Sequence, residues 1–219
     1  LQSEANRSRA RNIGLEHSTS AAVVFIDSDM KAPPELLKQC SDALERHDAV
    51  VIPEVSTGIG FWAKCRQIER QAETKNSLLE AARGFRREAF VTLGGYNESL
   101  EAGEDWDIQN RARAIGLSIG RVDATIIHDE GQLSLPKVLA KKYFYGRTFS
   151  RYLATNPSVA FKQVNPVQRI IGPSLSIIPK NPSLGIGVLI LTALEFTAAG
   201  AGHLFGSGLR KQIENSRRT

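Results

Sequence analysis

Two acids one residue apart, Asp27 and Asp29, follow the apolar run Ala21-Ala22-Val23-Val24-Phe25-Ile26. A strand that delivers Asp-x-Asp at its end turns both carboxylates to one side and Ser28 to the other, because successive side chains alternate. Two hard oxygen donors on one side suit Mg²⁺ or Mn²⁺, and such ions commonly hold a phosphate as well. The other reading of the same pair is a solvated loop after a strand. Farther along, Glu104 and Asp105 open a helix-like run, where acids satisfy free backbone N–H groups and the positive end of the helix dipole. His128 ends a β-rich piece and precedes Asp129-Glu130-Gly131. A lone histidine in that place is either structural or a metal ligand.

The elements that must position these residues alternate. Ser3 to His17 has helical composition, and Gly14 predicts its end nearby. A strand over Ala21–Ile26 follows. Pro33 and Pro34 then open a helix in which Leu36, Leu37, Cys40 and Leu44 recur at helical spacing. Ala49-Val50-Val51-Ile52 reads as a strand stopped by Pro53, and Gly58 and Gly60 precede a long helical run from Phe61 to Glu80. Strand and helix in alternation predict an α/β layered domain. Shorter pieces come next: a strand over Gly84–Arg86, a helical turn over Glu88–Thr92, and a break at Gly94-Gly95 where backbone approaches something closely. The helix Glu104–Ile115 is closed by Gly116, and two β-rich pieces span Leu117–Val122 and Ala124–His128.

Ser134 to Leu153 is a basic, aromatic, amphipathic stretch. Pro157, Pro166, Pro173, Pro179 and Pro182 then forbid one continuous helix. Leu184–Phe205 is an apolar run of about 22 residues, close to the roughly 20 that cross a bilayer. Glu195 and His203 interrupt it. It reads as a transmembrane helix, with a buried core helix as the alternative. Gly202 and Gly206 have the spacing that lets two membrane helices approach. Basic residues flank both ends of the run, so charge does not orient a crossing.

The chain of 219 residues is 42% hydrophobic, 23% charged and 7% aromatic. That is enough apolar content for a sizeable core, and the balance argues against intrinsic disorder. The net charge of +5 comes without clustered Lys, Arg and stacking aromatics, so no nucleic-acid partner is expected. Attraction to an anionic membrane leaflet and to pyrophosphate is the simpler reading. Cys40 and Cys65 are far apart and have no ligand partners at metal spacing, which fits a reducing compartment.

Four motifs stand in order: Ala10-Arg11-Asn12-Ile13-Gly14-Leu15; Asp27-Ser28-Asp29; Phe85-Arg86-Arg87-Glu88-Ala89-Phe90 running to Leu93-Gly94-Gly95-Tyr96-Asn97-Glu98; and Gly103-Glu104-Asp105-Trp106-Asp107. This order resembles the family 2 glycosyltransferases, enzymes of the GT-A fold, over about Ala10 to Gly131. The stretch from Lys141 to Phe196 is similar to the tail of membrane-bound members. The resemblance implies a nucleotide-sugar donor, Mg²⁺ or Mn²⁺ at Asp29 and Asp27 with His128 completing the site, and displacement with inversion at the anomeric carbon. It implies Asp105 as general base, with Glu104 helping to hold the acceptor beside Trp106, whose apolar ring would raise the base's pKa. Gly94 and Gly95 would lie beside the donor sugar, and Arg11, Asn12 and Arg147 would serve the donor's nucleotide and phosphates.

Such enzymes open with a strand and an acidic turn that hold the nucleoside, and nothing of that kind precedes Leu1. The expectation is therefore an N-terminally truncated, Rossmann-like mixed sheet flanked by helices, over residues 1–133. An amphipathic juxtamembrane segment (134–182), a transmembrane helix (183–206) and a basic tail (207–219) would follow. The acceptor would be a glycan or a lipid-linked phosphate at the cell membrane, with the catalytic domain on the cytoplasmic side. The alternatives are a non-catalytic membrane-associated remnant and a nucleotidyltransferase, which also sets metal-binding acids on an α/β sheet.

Overall fold

The computed structural model describes residues 6–74, 76–165 and 177–216, with side chains as far as Phe205. It forms two compact units. One comprises Leu1–Thr57 and Arg70–Glu130, the other Gly58–Glu69 and Gly131–Thr219. The boundary read from sequence at residue 133 lies close to the break after Glu130, but Gly58–Glu69 groups with the C-terminal part.

In the first unit, helix α1 (Arg7–Glu16) begins at Asn6, whose side chain caps the Arg9 N–H, and it runs two residues beyond Gly14. Strand β1 is Ala22–Val24, β2 is Met30–Lys31, and α2 is Leu36–Leu44. Strands β3 (Ala49–Val51) and β4 (Glu54–Ile59) come next, followed by α3 (Phe61–Glu73), β5 (Ala82–Arg86) and α4 (Arg87–Thr92). Helix α5 (Glu104–Ala114), β6 (Ile119–Arg121) and β7 (Ile126–Gln132) complete the α/β part.

The strands form a four-stranded sheet, β1-β5-β3-β6, and a three-stranded sheet, β2-β7-β4. Pairing is mixed. β5 runs antiparallel to β1 and β3, whereas β3 and β6 are parallel. Alternation along β3 divides the core between two faces. Val50 packs with Leu36, Cys40 and Leu44 of α2, while Ala49 and Val51 join Leu15, Phe85, Phe90, Tyr96 and Ile108. Gly84 is required between the layers, because a Cβ there would lie 2.6 Å from Val50 Cγ2.

Three elements differ from the sequence expectation. α3 stops at Glu73, not Glu80; Asn76 Oδ1 accepts the Leu78 N–H, and such local side-chain bonds compete with helix. β4 was not expected, although Val55, Thr57 and Ile59 are β-branched residues at alternate positions. β1 ends at Val24, so Asp27 and Asp29 stand in a turn closed by the Met30 N–H on Asp27 O, not at a strand end.

In the second unit, α6 (Leu135–Thr155), α7 (Pro157–Gln163) and α8 (Pro182–Ser216) are helical, and Pro157 occupies the first turn of α7, where its missing N–H costs nothing. Pro166 and Pro173 lie outside the described residues. Gly146 of α6 lies against the Ala199 backbone, and Gly202 of α8 lies against that of Tyr143, so the two helices touch where no Cβ fits. Gly202 is thus used against a helix of the same chain. Val188 and Leu191 of α8 pack with Cys65 of α3. Glu195, in the middle of the apolar run, is buried against Arg66 and 3.0 Å from Lys142, and Arg66 also meets Glu69 at 2.5 Å. The opposite face of α8 exposes Ile186, Ile190, Leu194, Leu204 and Phe205.

Candidate active site

The candidate side chains of the first unit form a row of alternating charge. Asp105 Oδ1, at the start of α5, accepts a hydrogen bond from Arg11 Nη1 at 2.7 Å, and Arg11 Nη2 donates to Asp27 Oδ1 at 2.8 Å. Asp27 Oδ2 lies 3.5 Å from Arg83 Nη1 of β5, whose Nη2 donates to Glu54 Oε2 of β4 at 3.0 Å. Glu54 Oε1 is 2.8 Å from His128 Nδ1 of β7, and His128 Nε2 is 3.1 Å from Asp29 Oδ2. Glu104 flanks the row, 3.1 Å from Arg7 and 3.7 Å from Arg11.

Local structure places each member. Gly103 takes φ 82° to launch α5, which puts Glu104 and Asp105 in its first turn. The β2–β7 register sets Met30 opposite His128, which brings Asp29 to the imidazole. Asn12 accepts the Tyr96 N–H and donates to Tyr96 O, both at 2.9 Å, so it anchors the turn at Gly94 and Gly95. Both glycines have φ 72°, and a Cβ on Gly95 would lie 2.7 Å from Asn12 Oδ1. Arg11 Cζ stands 5.0 Å from the Tyr96 ring centroid.

Burial opposes several of the charges here, and for most of these the neighbours decide the outcome. Burial works against the Arg11 and Arg83 cations, yet the surrounding carboxylates hold both above the ordinary arginine value. Burial favours the neutral acid at Asp27, but the hydrogen bond and charge of Arg11 keep it below its usual range. Glu54 is likewise opposed by burial and is brought down to about 2 by His128, Arg70 and Arg83. His128 is raised, first by its bond to Glu54. Glu104 goes the other way: burial, then the charge of Asp105, push it up to about 7.

The expected site residues have specific partners. Asp27 bonds to Arg11 and lies 3.5 Å from Arg83, and Asp29 faces His128. Trp106 donates its Nε1–H to Leu79 O at 2.9 Å, and burial raises the Glu104 carboxyl. Arg147 is exposed on α6, in the second unit. Arg83 and Glu54 were not singled out in the sequence. The β-branched alternation after Pro53 was the available signal for Glu54.

A hard cation fits part of this arrangement. Two ligands at right angles, each about 2.1 Å from an octahedral ion, stand about 3.0 Å apart. Asp29 Oδ2 and His128 Nε2, at 3.1 Å, match that spacing. Among the described residues no group of three or more His, Cys, Asp or Glu side chains is placed to hold a metal. Remaining positions would fall to phosphate and water, as such ions allow. A cavity of about 410 Å³, lined by Ser77, Glu80, Arg113 and Arg121 among others, shares no residue with the charged row.

Residues 2–95 match the model of a family described as Glycosyl transferase family 2. This part of the chain is similar to the family 2 glycosyltransferases. It contains Arg11, Asp27, Glu54 and Arg83; Asp105 and His128 lie beyond it. No curated protein matches the chain. Among solved structures, the chain is similar to the mannosyltransferase PcManGT from Pyrobaculum calidifontis in complex with GDP-Man and Mn²⁺, with TM-score 0.56 and 13% identity over 93% of this chain and 68% of that one. The TarS fragment 1-349 of S. aureus in complex with UDP-GlcNAc gives TM-score 0.43 and 13% identity over 97% and 74%. The first likeness establishes the fold: a GT-A-type mixed sheet flanked by helices.

Proposed function

We propose that this glycosyltransferase moves a sugar from a nucleotide-sugar donor to an acceptor at a membrane surface, with inversion at the anomeric carbon. The observation that carries the reading is the convergence of Asp105, Arg11 and Asp27 at the start of α5. Asp105 accepts the proton of the acceptor hydroxyl. The freed oxygen bonds to the anomeric carbon as the bond to the donor pyrophosphate breaks, and the nucleoside diphosphate leaves. Access favours Asp105 over Glu104 for this role, because Asp105 exposes 27% of its side chain and Glu104 only 5%. Arg11 fixes the Asp105 carboxylate, and Glu104, buried beside it, helps to hold Arg11 and Arg7 at the acceptor side. Asn12 keeps the Gly94-Gly95 turn open for the donor sugar.

Asp29 and His128 would hold Mg²⁺ or Mn²⁺, which when bound neutralises charge on the departing pyrophosphate. The Mn²⁺ in the mannosyltransferase neighbour supports a divalent ion here. Support for the membrane comes from α8, of which Pro182–Phe205 is long and apolar enough to cross a bilayer. Residues 131–219 also carry twelve Lys and Arg against two acids, which suits an anionic cytoplasmic leaflet and a lipid-linked phosphate acceptor. Arg147 belongs to that basic surface.

The test is release of nucleoside diphosphate from a panel of labelled nucleotide sugars, GDP-mannose and UDP-GlcNAc included, with Mn²⁺ and a lipid extract. Release that depends on the extract and is lost in Asp105→Asn supports the proposal. A chain that binds no donor and releases nothing across the panel is the non-catalytic remnant.

A further inference from the structure

Glu54 has no part in the mechanism above, yet it is the best-fixed carboxylate of the row. Its Oε2 accepts from Arg83 Nη2 at 3.0 Å, and its Oε1 lies 2.8 Å from His128 Nδ1. Both oxygens are thus engaged, and β4 and β7, which carry the two residues, are neighbours in one sheet. We propose that Glu54 is a positioning residue that keeps the proton of neutral His128 on Nδ1, so that Nε2 offers its lone pair to a divalent cation shared with Asp29.

A neutral imidazole carries a single N–H, and an ionised carboxylate only accepts. Both ring nitrogens of His128 face carboxylates, so the proton goes to the one that gains more from it. Glu54 exposes 20% of its side chain and Asp29 57%. A hydrogen bond to a charged acceptor strengthens as water is excluded, so the more buried Glu54 takes the N–H. Arg83 supports this by holding the Glu54 carboxylate ionised and unable to swing away. The exposed Asp29 is left to turn its oxygen from His128 to an incoming ion at little cost. Histidines that bind metals commonly donate their other N–H to a carboxylate in this manner, and removing that partner typically costs about 10–100-fold in metal affinity.

This inference rests on the metal in the proposed reaction but is read without any turnover. In the full chain at alkaline pH, with the ring neutral, nitrogen NMR of His128 should show the proton on Nδ1; a proton on Nε2 overturns the inference whatever the variants do. Mn²⁺ binding, followed by loss of the free-ion electron spin resonance signal, should weaken about 10–100-fold in Glu54→Ala. Glu54→Gln, which keeps an acceptor oxygen, should fall between that variant and the parent. A folded Glu54→Ala protein, as judged by circular dichroism, with undiminished Mn²⁺ affinity retires the role of Glu54 alone. A parent chain that binds no Mn²⁺ with donor present retires the cation from the proposed reaction, and this role of Glu54 with it.

Discussion

Arg11 and Asp105 meet at 2.7 Å although 94 residues separate them, and the same guanidinium reaches Asp27 with its other nitrogen. One buried cation thereby ties helix α1 to the helix that carries the proposed base. Lysine cannot make this connection, because it offers a point charge and not a fork.

Arg11→Ala should accordingly destabilise the fold. Breaking a buried ion pair from one side costs about 3–5 kcal/mol. Asp27 keeps Arg83, and both carboxylates are partly exposed, so the expected loss lies near the low end, about 3 kcal/mol. Arg11→Lys should fall between the parent and Arg11→Ala. Urea unfolding of the three proteins checks this, and identical midpoints would show the bridge to be energetically idle.

Asp105→Asn should lower turnover by about 10²–10⁴-fold while donor binding survives, since a general base acts in the transition state. Glu104→Gln should cost less. A purely helix-capping Asp105 would instead shift the melting temperature slightly and leave the rate unchanged. Transfer rate and thermal melting, measured on the same two variants, separate these outcomes.

The raised carboxyl of Glu104 gives a pH signature with a fixed sign. Its pKa moves from 4.5 to about 7 on folding, so the folded state binds a proton more tightly than the unfolded chain does. Its contribution to stability is therefore complete below pH 4.5 and is lost as pH rises through about 7. At roughly 1.4 kcal/mol per pKa unit the loss is about 3 kcal/mol. Denaturation across this range should show the parent losing stability relative to Glu104→Gln. Parallel pH profiles would mean that Glu104 is not protonated more tightly in the fold.

The two faces of α8 should respond differently to charge. Leu191 is fully buried, and Leu191→Lys should unfold the helical unit. Ile190→Lys, on the exposed face, should preserve helicity and reduce sedimentation with anionic lipid vesicles. Equal sedimentation of the parent and Ile190→Lys would remove that face from membrane contact.

The sequence was legible where pattern and packing agree. Helix α5, with acids at its start and Gly116 at its end, appears almost as read, and the apolar runs of β3 and α2 supply the core. The Asp-x-Asp pair was expected at a strand end, but alternation holds only while a strand continues, and β1 ends at Val24, before either acid. Arg83 and Glu54 were not legible as site residues. Their importance comes from pairing across strands, which follows from sheet order and not from local spacing. Glu195 was visible as an interruption of an apolar run, but its partners Arg66 and Lys142 lie 129 and 53 positions earlier in the chain.

Helix α1 has a consequence for the order in which the protein takes shape. Asn6, Arg7 and Ser8 bond to the backbone of Glu98, Glu101 and Leu100, Asn12 to Tyr96, and Arg11 to Asp105, all between 84 and 94 residues onward. Closing so long a loop is slow compared with forming local contacts. During synthesis α1 cannot complete these contacts until α5 has left the ribosome, so the charged row assembles only after that point. A fragment cut at residue 95, which would retain the whole family-matching stretch, would have the arginine without the carboxylate that it spans the chain to reach.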